Sequence, residues 1–227
     1  MGRLHILTRQ SSRFSDRRDA GRLLAGKLQG YRAACPVVLG VPRGGVVTAF
    51  EIANALEAEM DVVLAHKLGA PGNPEFAVGA VSEKGGMVLA REAGRIATAS
   101  YLKQEKERQE YLLSARMKQY RAVLPKISLK DRVVVLTDDG VAVGLTMEAS
   151  LVSVRTEKPA RIIVALPVGP SLALERLSAR ADETIALCAP PDFFSVSQYY
   201  DYFSEVDDRD VMDILRQESL RRQGVSK

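Results

Sequence analysis

Residues 132–150, RVVVLTDDGVAVGLTMEAS, decide how this chain is read. The apolar run Val133–Leu136 has the pattern of a strand buried on both faces. Asp138 and Asp139 follow it, then Gly140, a short apolar turn, Gly144 and Thr146, and then a segment able to form a helix. Backbone N–H groups of such a loop, together with a helix N-terminus, can hold a phosphate. Paired carboxylates at the strand's end can accept hydrogen bonds from vicinal ribose hydroxyls or bind hydrated Mg²⁺. Taken alone, the two acids equally suit an ordinary strand-to-helix turn.

Working outward, Pro36–Val41 reads as a second apolar strand. It runs into Pro42-Arg43-Gly44-Gly45 and a helix over Val46–Ala58, the opening of a βαβ unit. A double glycine lets backbone approach an anion closely, and the adjacent arginine adds a bidentate donor. The turn lacks the Gly-Lys-Ser/Thr ending of a Walker A loop and is not a dinucleotide fingerprint. By itself PRGG is only a tight turn. Paired with the acidic loop, it supplies the second of two phosphate cradles at sheet ends, which is what a diphosphorylated sugar requires.

These segments resemble type I phosphoribosyltransferases, in which a hydrophobic strand is followed by two acids, three residues and Thr-Gly-x-Thr. Asp138, Asp139, Gly144 and Thr146 fall on that pattern, and PRGG resembles the same family's pyrophosphate loop. FSDRRDAGRLLA, HKLGAPGNPEFAVGAV, ALPVGP and the C-terminal aromatic stretch extend the resemblance to a group of bacterial-type members over nearly the whole chain. Two positions depart from the pattern. Ala142 stands where purine-type members often carry Asp, and Val143 replaces the first Thr, removing one hydroxyl that would bond the 5′-phosphate. The resemblance implies a pentosyl transfer in nucleotide metabolism: phosphoribose moves from Mg²⁺-bound phosphoribosyl pyrophosphate to a nitrogenous acceptor, releasing pyrophosphate. It assigns Asp138 and Asp139 to the ribose hydroxyls and the metal, directly or through water, as the catalytic pair. Gly140, Val141, Ala142, Val143, Gly144, Leu145 and Thr146 would hold the 5′-phosphate. Arg43, Gly44, Gly45 and Lys67 would hold the pyrophosphate. A non-catalytic sensor or regulator binding the same ligand or a nucleotide is the alternative; a sugar-phosphate hydrolase using Asp138 would need further acids that the spacing does not offer.

The chain of 227 residues, with a formal charge of +4, suits one α/β domain handling anionic small molecules. Alternating strands and helices predict a doubly wound, mainly parallel sheet flanked by helices. The single domain spans 1–227, with a flap and long-helix insertion at about 68–125 and a C-terminal hood and helix at about 188–227. Met1–Ser12 reads as a loose or edge segment. Phe14–Leu28 reads as an amphipathic helix with Arg17 and Arg18 solvated. Asp61–His66 reads as a third strand with Lys67 at its exit, Leu68–Glu75 as a turn-rich loop, and Phe76–Ser82 with Met87–Ala90 as a hairpin. The resemblance makes that hairpin region a mobile flap, whose closure would exclude water. Ala99–Val123 reads as a long charged helix, solvated or facing a partner. Strands over Arg161–Val168 and Thr184–Ala189 flank a helix over Ser171–Ala179. The aromatics of Pro190–Phe203 pack the C-terminal segment or stack on a base, and Val206–Leu220 forms a last helix.

Cys35 and Cys188 read as packing residues, and two histidines exclude a His-rich metal centre. No apolar stretch could span a bilayer, and no secretory h-region opens the chain, so a cytoplasmic location is expected, with neither membrane nor nucleic acid as partner. A homodimer remains open.

Overall fold

The structure, a computed structural model, describes residues 2–10 and 12–224; expectations touching Met1, Ser11 and residues 225–227 lie outside the described residues. Its elements in chain order are β1 (Arg3–Thr8), α1 (Arg17–Leu28), β2 (Val37–Gly40), α2 (Gly44–Leu56), β3 (Glu59–Val62), β4 (Ala65–Ala70), β5 (Asn73–Ser82), β6 (Met87–Leu89), α3 (Ala93–Ile96), α4 (Ala99–Val123), β7 (Val133–Thr137), α5 (Leu145–Thr156), β8 (Arg161–Val168), α6 (Ser171–Ser178), β9 (Glu183–Cys188) and α7 (Asp208–Arg222). A six-stranded sheet runs β1-β9-β8-β7-β2-β3, and β4-β5-β6 form a separate three-stranded sheet. Every pairing in the large sheet is parallel.

Helices cover both faces of the sheet, and period-two alternation sends successive strand side chains into two separate cores. Val38, Val135 and Ile163 point into one core with Leu24, Ile52 and Leu215 of α1, α2 and α7. Val37, Val134 and Ile162 point into the other with Leu151 and Leu174 of α5 and α6. Both faces are covered, which is why these strands read as unbroken apolar runs. The edge alternative for the N-terminal segment is the one found, since β1 pairs parallel with β9.

The insertion departs from its reading. Asp61–His66 is not one strand: the large sheet keeps β3 only to Val62, and Ala65 already opens β4 of the second sheet. Lys67 therefore lies within an antiparallel strand and not at the exit of a central one. Most of Leu68–Glu75 is strand rather than loop, because only Pro71–Gly72 form the turn between β4 and β5. The hairpin of β5 with β6 is present and antiparallel. Its sheet packs Ala65, Ala80 and Val88 onto Leu145 and Ala149 of α5. Of the cysteines, both free, Cys188 is buried as expected while Cys35 is exposed.

Chain order reverses between β2 and β7, which are hydrogen-bonded neighbours in register from Val37↔Val134 to Gly40↔Thr137. Their following helices, α2 and α5, lie on opposite faces. A crevice necessarily opens at the carboxyl ends of two strands whose helices part in this way, and it is the usual ligand position in open α/β sheets.

Candidate functional site at the β2/β7 crevice

Both glycine motifs reach this crevice. Gly44 begins α2, after a cis Pro42–Arg43 peptide, and Asp138 and Asp139 leave β7 beside it. A Cβ on Gly45 would sit 2.7 Å from Asp138 Cα, and one on Gly44 would collide with the Asp139 carboxylate. Gly45 is therefore required by the close approach of two backbones, and Gly44 leaves room for the Asp139 carboxylate and Arg17. Asp138 Oδ1 accepts from the Asp139 N–H at 2.8 Å, and the Gly45 N–H also serves the Asp138 carboxylate. Burial, then repulsion from Asp139, pushes the Asp138 carboxyl well above the usual carboxylate range. Burial also raises Asp139, while Arg17 opposes that rise.

Arg17, read as solvated, is instead buried in this corner. Its Nε donates to Asp139 Oδ2 at 2.6 Å and Nη1 to the Ser204 carbonyl at 2.7 Å, with the guanidinium 3.7 Å from the Phe203 ring centroid. Arg18 does project outward, pairing with Glu51 at 2.6 Å. The C-terminal segment adds Tyr200, whose buried hydroxyl donates to the Asp139 carbonyl at 2.5 Å. That segment is fixed to the start of α1: the Phe14 N–H donates to the Tyr199 carbonyl at 2.8 Å, and the Asp201 N–H to the Phe14 carbonyl at 2.9 Å. Of its aromatics, Tyr199 and Tyr200 are buried and Phe193 and Phe203 pack on the core, whereas Phe194 and Tyr202 are exposed. Nothing in the local pattern sets Arg17 apart, and Tyr200 reads only as one of the aromatics of Pro190–Phe203.

The Gly140–Thr146 loop then crosses to α5. Gly144 caps that helix at φ 83°, a left-handed conformation that favours glycine. Val141 is buried and its N–H donates to the Val168 carbonyl at 3.0 Å. Ala142 and Val143 are exposed at the tip. Arg176 of α6 donates to the Val143 carbonyl and lies 3.2 Å from Glu148 Oε1, so the back of the loop is tied to α5 and α6.

Two cavities flank the PRGG turn, with Arg43 in the wall of each. One, of about 450 Å³, also has Arg17, Gly44, Asp139 and Ser204 in its walls. The other, of about 500 Å³, includes Lys67, Thr146 and Arg116. Of the expected residues, Arg43, Gly44, Lys67, Asp139 and Thr146 reach these walls from three segments, with Lys67 arriving on β4. Asp138 and Asp139 are hard oxygen donors, and a raised carboxyl pair is relieved by a cation; one or two carboxylates completed by substrate oxygens suit Mg²⁺. Among the described residues no group of three or more His, Cys, Asp or Glu side chains could hold a metal by itself. Nor is any helix among them long and apolar enough to cross a membrane.

Comparison with known proteins gives a consistent result. The phosphoribosyl transferase domain model matches residues 16–202. Two Mycobacterium tuberculosis proteins, from strains CDC 1551 and H37Rv, are 38% identical over 204 residues, covering 89% of this chain and 46% of theirs. Each is named, provisionally, a phosphoribosyl transferase, and this chain spans about half their length. The crystal structure of the protein TT1426 from Thermus thermophilus superposes with a TM-score of 0.77 at 54% identity, covering 90% of this chain and 98% of that one.

Proposed function

The chain belongs to the phosphoribosyl transferase domain family, and from that premise we propose that it transfers phosphoribose from Mg²⁺-bound phosphoribosyl pyrophosphate to a nitrogenous acceptor. One observation carries this reading. Two motifs far apart in sequence meet at adjoining strand ends, so close that a Cβ on either glycine would strike the acidic pair. In this reading the Gly140–Thr146 loop and the α5 N-terminus hold the 5′-phosphate, and the α2 N-terminus with Arg43 and Lys67 holds the pyrophosphate. Asp138 and Asp139 hold the ribose hydroxyls and the Mg²⁺, directly or through water. The metal, when bound, neutralises charge on phosphate oxygens. The C1–O bond breaks with its electron pair passing to pyrophosphate, the acceptor's nitrogen lone pair forms the C1–N bond, and the acceptor's proton passes to solvent. Catalysis is then positioning and charge stabilisation, which call for no nucleophilic side chain.

A second reading, a sensor that binds the same ligand without turnover, is favoured by the Arg17–Asp139 pair, which already occupies one carboxylate. A single experiment separates the two: Mg²⁺-dependent titration with phosphoribosyl pyrophosphate, then a nucleobase panel monitored for pyrophosphate release. Release with any acceptor supports the transferase. Binding without release across the panel supports the sensor, and absence of Mg²⁺-dependent binding removes both.

A further inference from the structure

The long helix α4 has no place in the reading above. Its charged side was expected to face solvent or a partner, yet Glu105, Arg108, Gln109 and Arg116 line the cavity that also holds Arg43 and Thr146. Positions three, four and eleven residues on from Glu105 fall on one side of a helix, so α4 presents them together.

These side chains form a hydrogen-bonded chain in which each link has one possible direction. Arg116 Nη1 lies 2.7 Å from His66 Nε2. Arginine only donates, so Nε2 accepts and the ring proton sits on Nδ1. His66 Nδ1 then donates to Gln109 Oε1 at 2.9 Å, and Gln109 Nε2 donates to Glu105 Oε1 at 2.8 Å. Arg108 closes the chain with Nε and Nη2 donating to Glu105 Oε2 and Oε1 at 2.8 and 2.7 Å. Behind Arg116, Asp208 Oδ1 lies 3.3 Å from its Nε and accepts from the Tyr120 hydroxyl at 2.8 Å. Burial lowers the His66 pKa, which keeps the imidazole an acceptor for Arg116 at neutral pH.

An ordinary surface pair between Arg108 and Glu105 would need none of this. Glu105 and Gln109 are buried, and burying polar groups is costly unless they are fully bonded. What the chain accomplishes is to fix two guanidinium groups in the wall of a cavity whose other cations are Arg43 and Lys67 and whose acid is Glu105. Held in advance, such groups lose little entropy on meeting an anion. They suit a leaving group that gains negative charge as its bond breaks.

We propose that α4 forms a second wall of the pyrophosphate site, with Arg116 and Arg108 binding the pyrophosphate across the cavity from Arg43. This rests on the assignment of the PRGG turn to pyrophosphate. The test is calorimetric titration of the full chain, with Mg²⁺, by inorganic pyrophosphate and separately by ribose 5-phosphate, for the wild type, Arg116→Met and Arg108→Met. Arg116→Met is expected to weaken pyrophosphate binding about tenfold or more, the value of a lost hydrogen bond to a charged group. Arg108→Met is expected to weaken it less, and ribose 5-phosphate should bind all three alike. Unchanged pyrophosphate affinity in both variants, or an equal loss for ribose 5-phosphate, overturns the proposal. If Arg116→Met fails to fold, Arg108→Met decides, since that side chain is 57% exposed and its loss leaves the His66 link intact. Wild type that binds phosphoribosyl pyrophosphate while the variants match it sinks this inference alone. Wild type that binds neither phosphoribosyl pyrophosphate nor pyrophosphate sinks the proposed function with it.

Discussion

Asp138–Asp139 and Ala142–Val143 belong to one loop, but the first pair is enclosed and the second is not. Arg17, Gly44, Gly45 and Tyr200 all close on the acids. The tip is exposed, and its tie to the rest of the fold runs through the Val143 carbonyl to Arg176, not through a side chain. The acidic corner is thus specified by long-range packing, and the tip by the local backbone. Substitutions at the corner should change folding and binding together, whereas those at the tip should change binding alone.

The glycines test this contrast most severely. Gly45→Val would drive a branched side chain into Asp138 Cα and the Thr137 carbonyl, atoms of a central strand that cannot yield. Overpacking of this kind costs about 1–3 kcal/mol or more, which is about 2–12 °C in Tm for a domain of this size. Pyrophosphate binding should be lost as well. Ala142→Val, at the exposed tip, should stay within about 0.5 kcal/mol of wild type. Equal Tm shifts in thermal melts of the two variants would break the contrast.

Within the corner the two acids should respond oppositely. Asp139→Asn leaves the buried Arg17 without its charged partner, a loss of about 1–3 kcal/mol. Asp138 is not the carboxylate that Arg17 pairs with, and burial, then Asp139, raises its pKa well above the unfolded value of about 3.9. The folded chain therefore binds this proton more tightly than the unfolded chain does. Stability from this group is fully present below about pH 3.9 and is lost as pH rises through the folded pKa. Asn cannot ionise, so Asp138→Asn should gain on wild type as pH rises above about 4, while losing Mg²⁺-dependent ligand binding. Tm measured against pH for both proteins checks this; parallel curves would remove Asp138 as a strained carboxylate. A variant that is more stable yet unable to bind is the usual sign of a site kept at a cost to folding.

The same division explains what could be read in advance. β7, α4 and β8 carry continuous periodic patterns, and α4 and β8 match their expected limits. The acidic loop and the PRGG turn are legible because their chemistry lies in adjacent residues. Arg17 was not, because its partner is 122 residues away, and an arginine in the first turn of a helix gives no local sign of burial. The split of Asp61–His66 was hidden for a related reason: an apolar run shows that the chain is buried, but not the residue at which it leaves one sheet for another. Leu68–Glu75 misled in the other direction, since proline and glycine signal turns even where an antiparallel pair holds them. For α4, charge spacing showed a polar face, while its cavity depends on β4 lying opposite, which that spacing does not encode.

The smallest expected effect belongs to the tip. Val143 stands where the resembled pattern has threonine, and at 53% exposure it is not a packing residue. A hydroxyl introduced there can be hydrated, so Val143→Thr should leave Tm unchanged; the penalty for an unsatisfied buried hydroxyl does not arise. Its benefit depends on the phosphate. A hydrogen bond to a charged oxygen is worth about 1.5–3 kcal/mol in good geometry, and an exposed site should return the lower end, about tenfold in affinity. Ribose 5-phosphate and phosphoribosyl pyrophosphate share the 5′-phosphate, so both should bind more tightly, while pyrophosphate alone should bind as before. Tighter pyrophosphate binding would place the wrong anion at the α5 N-terminus and exchange the two cradles. No change for any of the three would mean that the tip does not reach the ligand, leaving the corner and its arginines to hold the sugar phosphate from one side.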